Sequence, residues 1–262
     1  MNGINQKKKD STAQIKKYKM TRKLDKEFQD SETRKYAYDF DYILRDYMIE
    51  SFKPFFKKNA SALEMGCYKG EFTKKILNHF DKITVLEGSV DLVKEAQQNV
   101  QNQHKVTFIN KMFENWNPDE KYDAIFLLHT LEHLDDPIQI LKKIKSALKE
   151  DGYLFLVVPN ANAASRQIAV GMGIISHNAA VTDGEHEHGH RITYSFDTLE
   201  RDVAKAGLSA IYKSGIFFKP FANFQFDNIL KNNIIDKNYL DGCYNLGFKY
   251  PDLSASIFFL CK

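Results

Sequence analysis

Between Ala62 and Val158 short apolar runs alternate with amphipathic stretches, and this rhythm limits the fold more than any other feature. The runs at 62–65, 83–86, 106–109, 122–128 and 153–158 are too short for buried helices and are predicted as strands. Between them Phe72, Ile76 and Phe80 recur at helical spacing, as do Val93, Ala96 and Val100, and then Ile138, Leu141, Ile144 and Leu148. Such alternation implies βαβ units with right-handed crossovers: an α/β, doubly wound, mostly parallel sheet with helices on both faces. Asp151-Gly152 reads as the turn into the fifth strand. A helix over 195–206 stopped by Gly207, then strands at 209–217 and 254–261, complete a seven-stranded reading. Upstream, Tyr36, Phe40, Ile43, Leu44, Tyr47 and Met48 mark a helix running to about Phe52, closed by Pro54.

Two long interruptions break the rhythm, at about 160–194 and 218–253, and such insertions in a compact domain are usually lids or binding segments. The 262 residues suit one large domain, read here as 31–262, behind a basic leader over 1–30. Met1 to Lys26 carries nine Lys or Arg against two acids, so the net charge of +3 belongs to the leader and the remainder is negative. Without interleaved aromatics, the leader reads as a solvated tail more readily than as a nucleic-acid platform. Cys67, Cys243 and Cys261 form neither a disulfide framework nor a metal knuckle, which suits a reducing, cytoplasmic setting. No signal peptide is evident and no apolar run reaches membrane-spanning length.

The chemistry begins at Ser61-Ala-Leu-Glu-Met-Gly-Cys-Tyr-Lys-Gly-Glu-Phe-Thr73, a strand, a glycine turn from Gly66 to Gly70, and a helix. A strand, a glycine turn and a helix N-terminus make a cofactor cradle. The spacing is not that of the phosphate-binding G-x-G-x-x-G, and Glu64, two residues before Gly66, would repel a pyrophosphate and suits a cationic ligand. Glu87, 21 residues after Gly66, ends the second strand, where a carboxylate can accept from both ribose hydroxyls while Gly88 lets the backbone pass close.

This stretch resembles motif I of the class I S-adenosylmethionine-dependent methyltransferases, acid-x-Gly-x-Gly-x-Gly, with Tyr68 in place of the middle glycine. The resemblance covers about 60–217 and the last strand. It implies a Rossmann-like fold with an antiparallel last strand and S-adenosylmethionine as cofactor. Glu64, Gly66 and Gly70 would hold its methionine end, Glu87, with Gly88 beside it, its ribose, and Met112 and Phe113 its adenine; Cys67, Ser89 and Leu128 are further candidates for cofactor binding. Met112 stands where the family often has an Asp. The N-terminal helix would fold over the cofactor as a lid, with Tyr36 and Tyr38 as candidates.

Leu-Glu-His-x-x-Asp-Pro after the fourth strand accompanies motif I in small-molecule methyltransferases, and here it reads Leu131 to Pro137. His129, Glu132 and His133 at i, i+3 and i+4 would share one face of a helix. Ubiquinone-type O-methyltransferases hold a divalent metal on a similar Glu-x-x-Glu-His segment, but His129 replaces the first Glu. Metal binding by these three is the weaker expectation, beside a turn-tying role or an acceptor-side base. Farther on, His186, His188 and His190 alternate in Asp183-Gly-Glu-His-Glu-His-Gly-His-Arg191, so an extended chain would aim all three the same way. Gly189-His190 through Tyr194-Ser195 and Ala206-Gly207-Leu208 again resemble the small-molecule members, in which this segment borders the active site. His190, or else His133 or His129, is the candidate base. His186, His188, Arg191 and Arg166 are candidates for the acceptor, the arginines for a phosphate or carboxylate.

The resulting expectation is methyl transfer to an oxygen, or a nitrogen, of a small polar metabolite. A phosphorylated or nucleotide-linked one, such as a surface-glycan precursor, is preferred. Neither nucleic acid nor membrane is the expected partner, and a monomer and a homodimer are both open. An RNA methyltransferase, supported by the leader alone, and a non-catalytic cofactor-binding partner protein are the alternatives. A nicotinamide dehydrogenase is disfavoured by Glu64 and Tyr68.

Overall fold

The computed structural model describes residues 38–100 and 103–262; the basic leader and Tyr36 lie outside the described residues. Seven strands form one sheet: β1 (Ser61–Met65), β2 (Lys82–Glu87), β3 (Val106–Asn110), β4 (Tyr122–Leu128), β5 (Leu148–Pro159), β6 (Ala210–Phe218) and β7 (Ser254–Cys261). Their order is β3-β2-β1-β4-β5-β7-β6, with β1 to β5 paired in parallel and β7 antiparallel to both β5 and β6. The strand order reverses between β1 and β4. In open α/β sheets ligands bind at such a reversal, beyond the carboxyl ends of the strands.

Alternate residues of each strand feed two cores, because successive side chains point to opposite faces. On one face Ala62, Phe126, Phe155 and Phe258 meet α1 (Asp39–Phe52), α2 (Glu71–Ile76) and α3 (Val90–Asn99). Phe126 stacks on Phe155 at 4.7 Å, and Phe52 of α1 reaches Phe258 at 4.8 Å. On the other face Leu63, Met65, Ile125 and Leu127 meet α4 (Pro137–Ala147) and, beyond the first insertion, the helix over 196–205. Asp136 caps α4 by accepting from the Gln139 amide at 3.0 Å, with Pro137 in the first turn, where its missing N–H costs nothing.

Three local expectations need correction. Asp151-Gly152 is not a separate turn but part of a bulge, since Tyr122 pairs with Leu148 and Ala124 with Tyr153. The segment 160–194 is partly helical, with α5 (Ala164–Gly171) and the short α6 (Asp183–Glu187), then α7 (Phe196–Lys205) capped by Ser195. The second insertion folds as α8 (Asn223–Lys231) and α9 (Lys237–Lys249). These two bury Phe226, Leu240 and Cys243 against the core rather than line a pocket along their length. Asp227 of α8 accepts from the Phe40 amide at 2.9 Å and thereby holds the N-terminus of α1 in place.

Candidate active site

The carboxyl ends of β1, β2, β4 and β5 open into one cavity of about 450 Å³, roofed by α1 through Tyr38, Asp41, Leu44, Arg45 and Met48. Glu64, Gly66, Cys67, Tyr68, Glu87, Gly88, Met112, Phe113 and Leu128 line one part of it. His129, Thr130, Glu132, His133, His188, His190, Lys219, Asn223 and Ser256 line the rest.

Gly66 has φ +82°, and a Cβ there would stand 3.0 Å from Thr130 Oγ1, so both backbone and space require glycine. Gly70 serves differently. It begins α2 at φ +81°, and a Cβ would press on Val100 and Ala96 of the α3 region at 3.0 and 3.2 Å. It does not line the cavity; packing, not ligand contact, accounts for it. Tyr68 also takes a left-handed conformation, φ +50°, and keeps its ring at the cavity wall.

Glu64 is buried, and its Oε2 accepts from Thr73 Oγ1 at 2.6 Å. Burial pushes its carboxyl up to about 8, against the Thr73 hydroxyl and the nearby Arg45 guanidinium. Glu87 accepts from the Cys67 amide at 3.1 Å and from the Ser89 amide at 3.0 Å, so it ties the glycine turn to the end of β2. Burial raises its carboxyl, and backbone amides of the turn oppose that. Ser89 does not line the cavity; its Oγ accepts from the Leu92 amide at 3.1 Å and caps α3. Burial raises the Cys67 thiol, so it is no thiolate.

The other part is built differently. His129, Glu132 and His133 do not share a helical face. His129 has φ +48°, and a tight turn over Leu131–His133 follows it. The His129 ring meets Ser256 Oγ at 2.9 Å, and burial, with Arg45, His190 and Lys219 nearby, pushes it down to about 3. So neutral an imidazole is a poor base. Glu132, His133 and His190 come together instead, each offering one ligand atom within 4.8 Å of the others. The His133 and His190 rings meet edge to face at 4.5 Å. Both Glu132 carboxylate oxygens are buried without a hydrogen-bond partner; His133 Nε2 stands 3.9 Å away, and burial pushes Glu132 up to about 8. This donor set could hold a transition ion, or pass a proton.

The alternating histidines are not extended. His186 lies in α6, its amide bonded to the Thr182 carbonyl, and only His188 and His190, on either side of Gly189, reach the cavity. Neither expected arginine lines it. Arg166 grips Glu185 at 2.5 Å and the Asn178 and Ala180 carbonyls, which fixes the first insertion. Arg191 pairs with Asp135 at 3.1 Å. The cations that do line the cavity, Arg45 and Lys219, were not singled out by the sequence, nor were Asp41 and Asn223. Arg45 is one helical turn from Asp41, a spacing that a helix-face reading could have used.

A strand order reversed beside a glycine turn, with buried carboxylates at the carboxyl ends of the first two strands, is a Rossmann-like cofactor site. The chain matches the methyltransferase-domain family over residues 33–213, more than half its length, and belongs to that family, the class I S-adenosylmethionine-dependent methyltransferases. It is 36% identical over 98 residues to a malonyl-[acyl-carrier protein] O-methyltransferase of Ilyobacter polytropus, covering 37% of each chain. It is 24% identical over 199 residues to a ubiquinone biosynthesis O-methyltransferase of Vibrio cholerae, covering 74% of this chain and 77% of that one. A methyltransferase structure from Clostridium acetobutylicum superposes with a TM-score of 0.56 at 15% identity, covering 90% and 96% of the two chains. The chain thus spans little more than a third of the first of these relatives. Among the described residues no helix is long and apolar enough to cross a membrane.

Proposed function

We propose that the protein transfers a methyl group from S-adenosylmethionine to an oxygen of a small polar acceptor. The observation that carries this reading is the pair of buried carboxylates, Glu64 and Glu87, ending adjacent strands on one cavity with Gly66 between them. When bound, S-adenosylmethionine supplies a methyl on a sulfonium, which an acceptor oxygen takes as the carbon–sulfur bond breaks. Glu64 meets the ammonium of the methionine end, and Arg45, whose Nη1 is buried without a partner, meets its carboxylate. Glu87 keeps its backbone partners and accepts from the ribose hydroxyls, and Gly88 lets the sugar approach. Met112, Phe113 and Leu128, which line the cavity, would pack against the adenine, and the Phe113 backbone N–H would be available to its ring edge.

His190 takes the acceptor's proton, with His133 edge-on beside it and Glu132 positioned to share the charge. Most of the acceleration comes from alignment of the reacting atoms in a cavity closed by α1. Both named relatives are O-methyltransferases, which supports oxygen over nitrogen. The preference for a surface-glycan precursor narrows here to its polar, anionic character. Calorimetry with S-adenosylhomocysteine tests the reading. Binding by the wild type, weakened roughly 100-fold in Glu87→Ala, is expected; no binding by the wild type would overturn it. Dialysis against a chelator is expected to leave transfer unchanged, because a proton relay needs no ion.

A further inference from the structure

Lys219 follows β6 directly and stands where three separate parts of the chain meet. Its carbonyl accepts from the Ser165 amide at 2.9 Å, which ties it to α5 of the first insertion. Its Nζ donates to Asn223 Oδ1 at 2.8 Å, and Asn223 Nδ2 donates to Asp41 Oδ1 of α1 at 2.7 Å. Lys219 lines the cavity, and an ammonium with one hydrogen bond to Asn223 has two further protons to place.

Among the described residues, no carboxylate lies within ion-pairing distance of Lys219. The two acids that influence it are already engaged. Asp41 accepts from Asn223 and from the Tyr38 amide at 2.8 Å, and Glu185 is gripped by Arg166. Lys219 is half-buried in the cavity wall, and desolvation outweighs the pull of Asp41 and Glu185 and lowers its ammonium below the ordinary 10.5. The cavity's two cations also divide it. Arg45 lies on α1 and bears on both Glu64 and Asp41, whereas Lys219 follows β6, the edge strand four places from β1, and bears on Asp41 and on Glu185 of the insertion. His129, just past β4, feels both charges and that of His190.

We propose that Lys219, aimed by Asn223, anchors an anionic group of the acceptor, a carboxylate or a phosphate, at the end of the cavity away from the cofactor turn. This rests on the methyl-transfer reading above and supplies its acceptor class. The anchored anion leaves the rest of the acceptor between Lys219 and His190. It replaces the chemistry that Arg166 and Arg191 were expected to provide.

The test is calorimetric titration of malonate, methyl phosphate and neutral malonamide into the wild type and Lys219→Met, with and without saturating S-adenosylhomocysteine. At least one anion is expected to bind the wild-type complex, with malonamide not binding. Lys219→Met should weaken that anion roughly 10- to 100-fold while S-adenosylhomocysteine affinity holds, and Lys219→Arg should recover most of the loss. Which anion binds separates a carboxylate acceptor from a phosphoester. Equal anion binding by wild type and Lys219→Met, or none by the wild type, overturns the proposal. Failure of S-adenosylhomocysteine to bind the wild type would instead strike the methyl-transfer reading, and the titrations without it still report on Lys219. If Lys219→Met does not fold, protection of wild-type Lys219 from reductive methylation by the same anions, read by mass spectrometry, carries the test. Protection is expected, and its absence is fatal to the idea.

Discussion

Glu64 and Glu132 occupy the two sides of one cavity, and burial displaces both to about 8. Their surroundings differ. Glu64 accepts a 2.6 Å hydrogen bond from Thr73 and lies within reach of the Arg45 charge, so its ionised form has support waiting. Neither Glu132 oxygen has a hydrogen-bond partner, and two imidazoles are its neighbours. On the cofactor side both carboxylates are already hydrogen-bonded and Arg45 Nη1 is left to the ligand, whereas on the acceptor side the carboxylate itself, Glu132, has no partner. Unsatisfied buried groups are expensive, and in an enzyme they concentrate where substrate or a moving proton completes them.

The sharpest way to break that contrast is to remove the base. His190→Ala should lower kcat by roughly 100- to 10,000-fold and leave S-adenosylhomocysteine affinity within about threefold, because His190 belongs to the acceptor side. A comparable loss of cofactor affinity would show that the two sides are not separable. On the cofactor side, Glu87→Ala should weaken S-adenosylhomocysteine roughly 100-fold, since two or more charge-assisted hydrogen bonds go with it and the Cys67 and Ser89 amides lose their acceptor. Gly66→Val should match or exceed that effect, since Val is poorly suited to φ +82° and would also crowd Thr130. An unchanged affinity in either variant would move the cofactor elsewhere.

The same contrast explains what could be read from the sequence. Glu64, Gly66, Glu87 and Phe113 belong to strand ends and turns, where spacing along the chain translates directly into position at the sheet edge. β1 to β4 therefore announced their side of the cavity. The acceptor side is assembled from α1, the turn after β4, the first insertion, the end of β6 and the start of α8, and no local pattern relates Asp41, His190, Lys219 and Asn223. Residue type misled as well. Arg166 and Arg191 have the chemistry for an anion, but Glu185 and Asp135 are closer claimants. The histidine alternation failed because the Thr182 capping box starts a turn of helix there: its hydroxyl accepts from the Glu185 amide while Glu185 Oε2 accepts from the Thr182 amide. His129 failed because a left-handed residue ended β4 before any helix could begin.

The smallest effects are the most discriminating, because they are read in pH. A carboxyl whose folded value lies above its unfolded value of 4.5 contributes fully below 4.5, and that contribution is lost as pH rises toward the folded value. Glu64 and Glu132 should each erode the stability of the ligand-free protein between pH 4.5 and 8, by up to about 1.4 kcal/mol per pH unit. Glu64→Gln and Glu132→Gln should each flatten that decline in denaturant melts. Only the cofactor side should answer to ligand. An ammonium beside Glu64 favours its ionised form, so cofactor affinity should fall as pH drops below about 8, by no more than about tenfold per unit. Glu64→Gln should abolish that dependence, and Glu132→Gln should leave it intact. If both variants abolish it, the two carboxyls titrate as one coupled pair across the cavity, and the division between a prepared side and a waiting side fails.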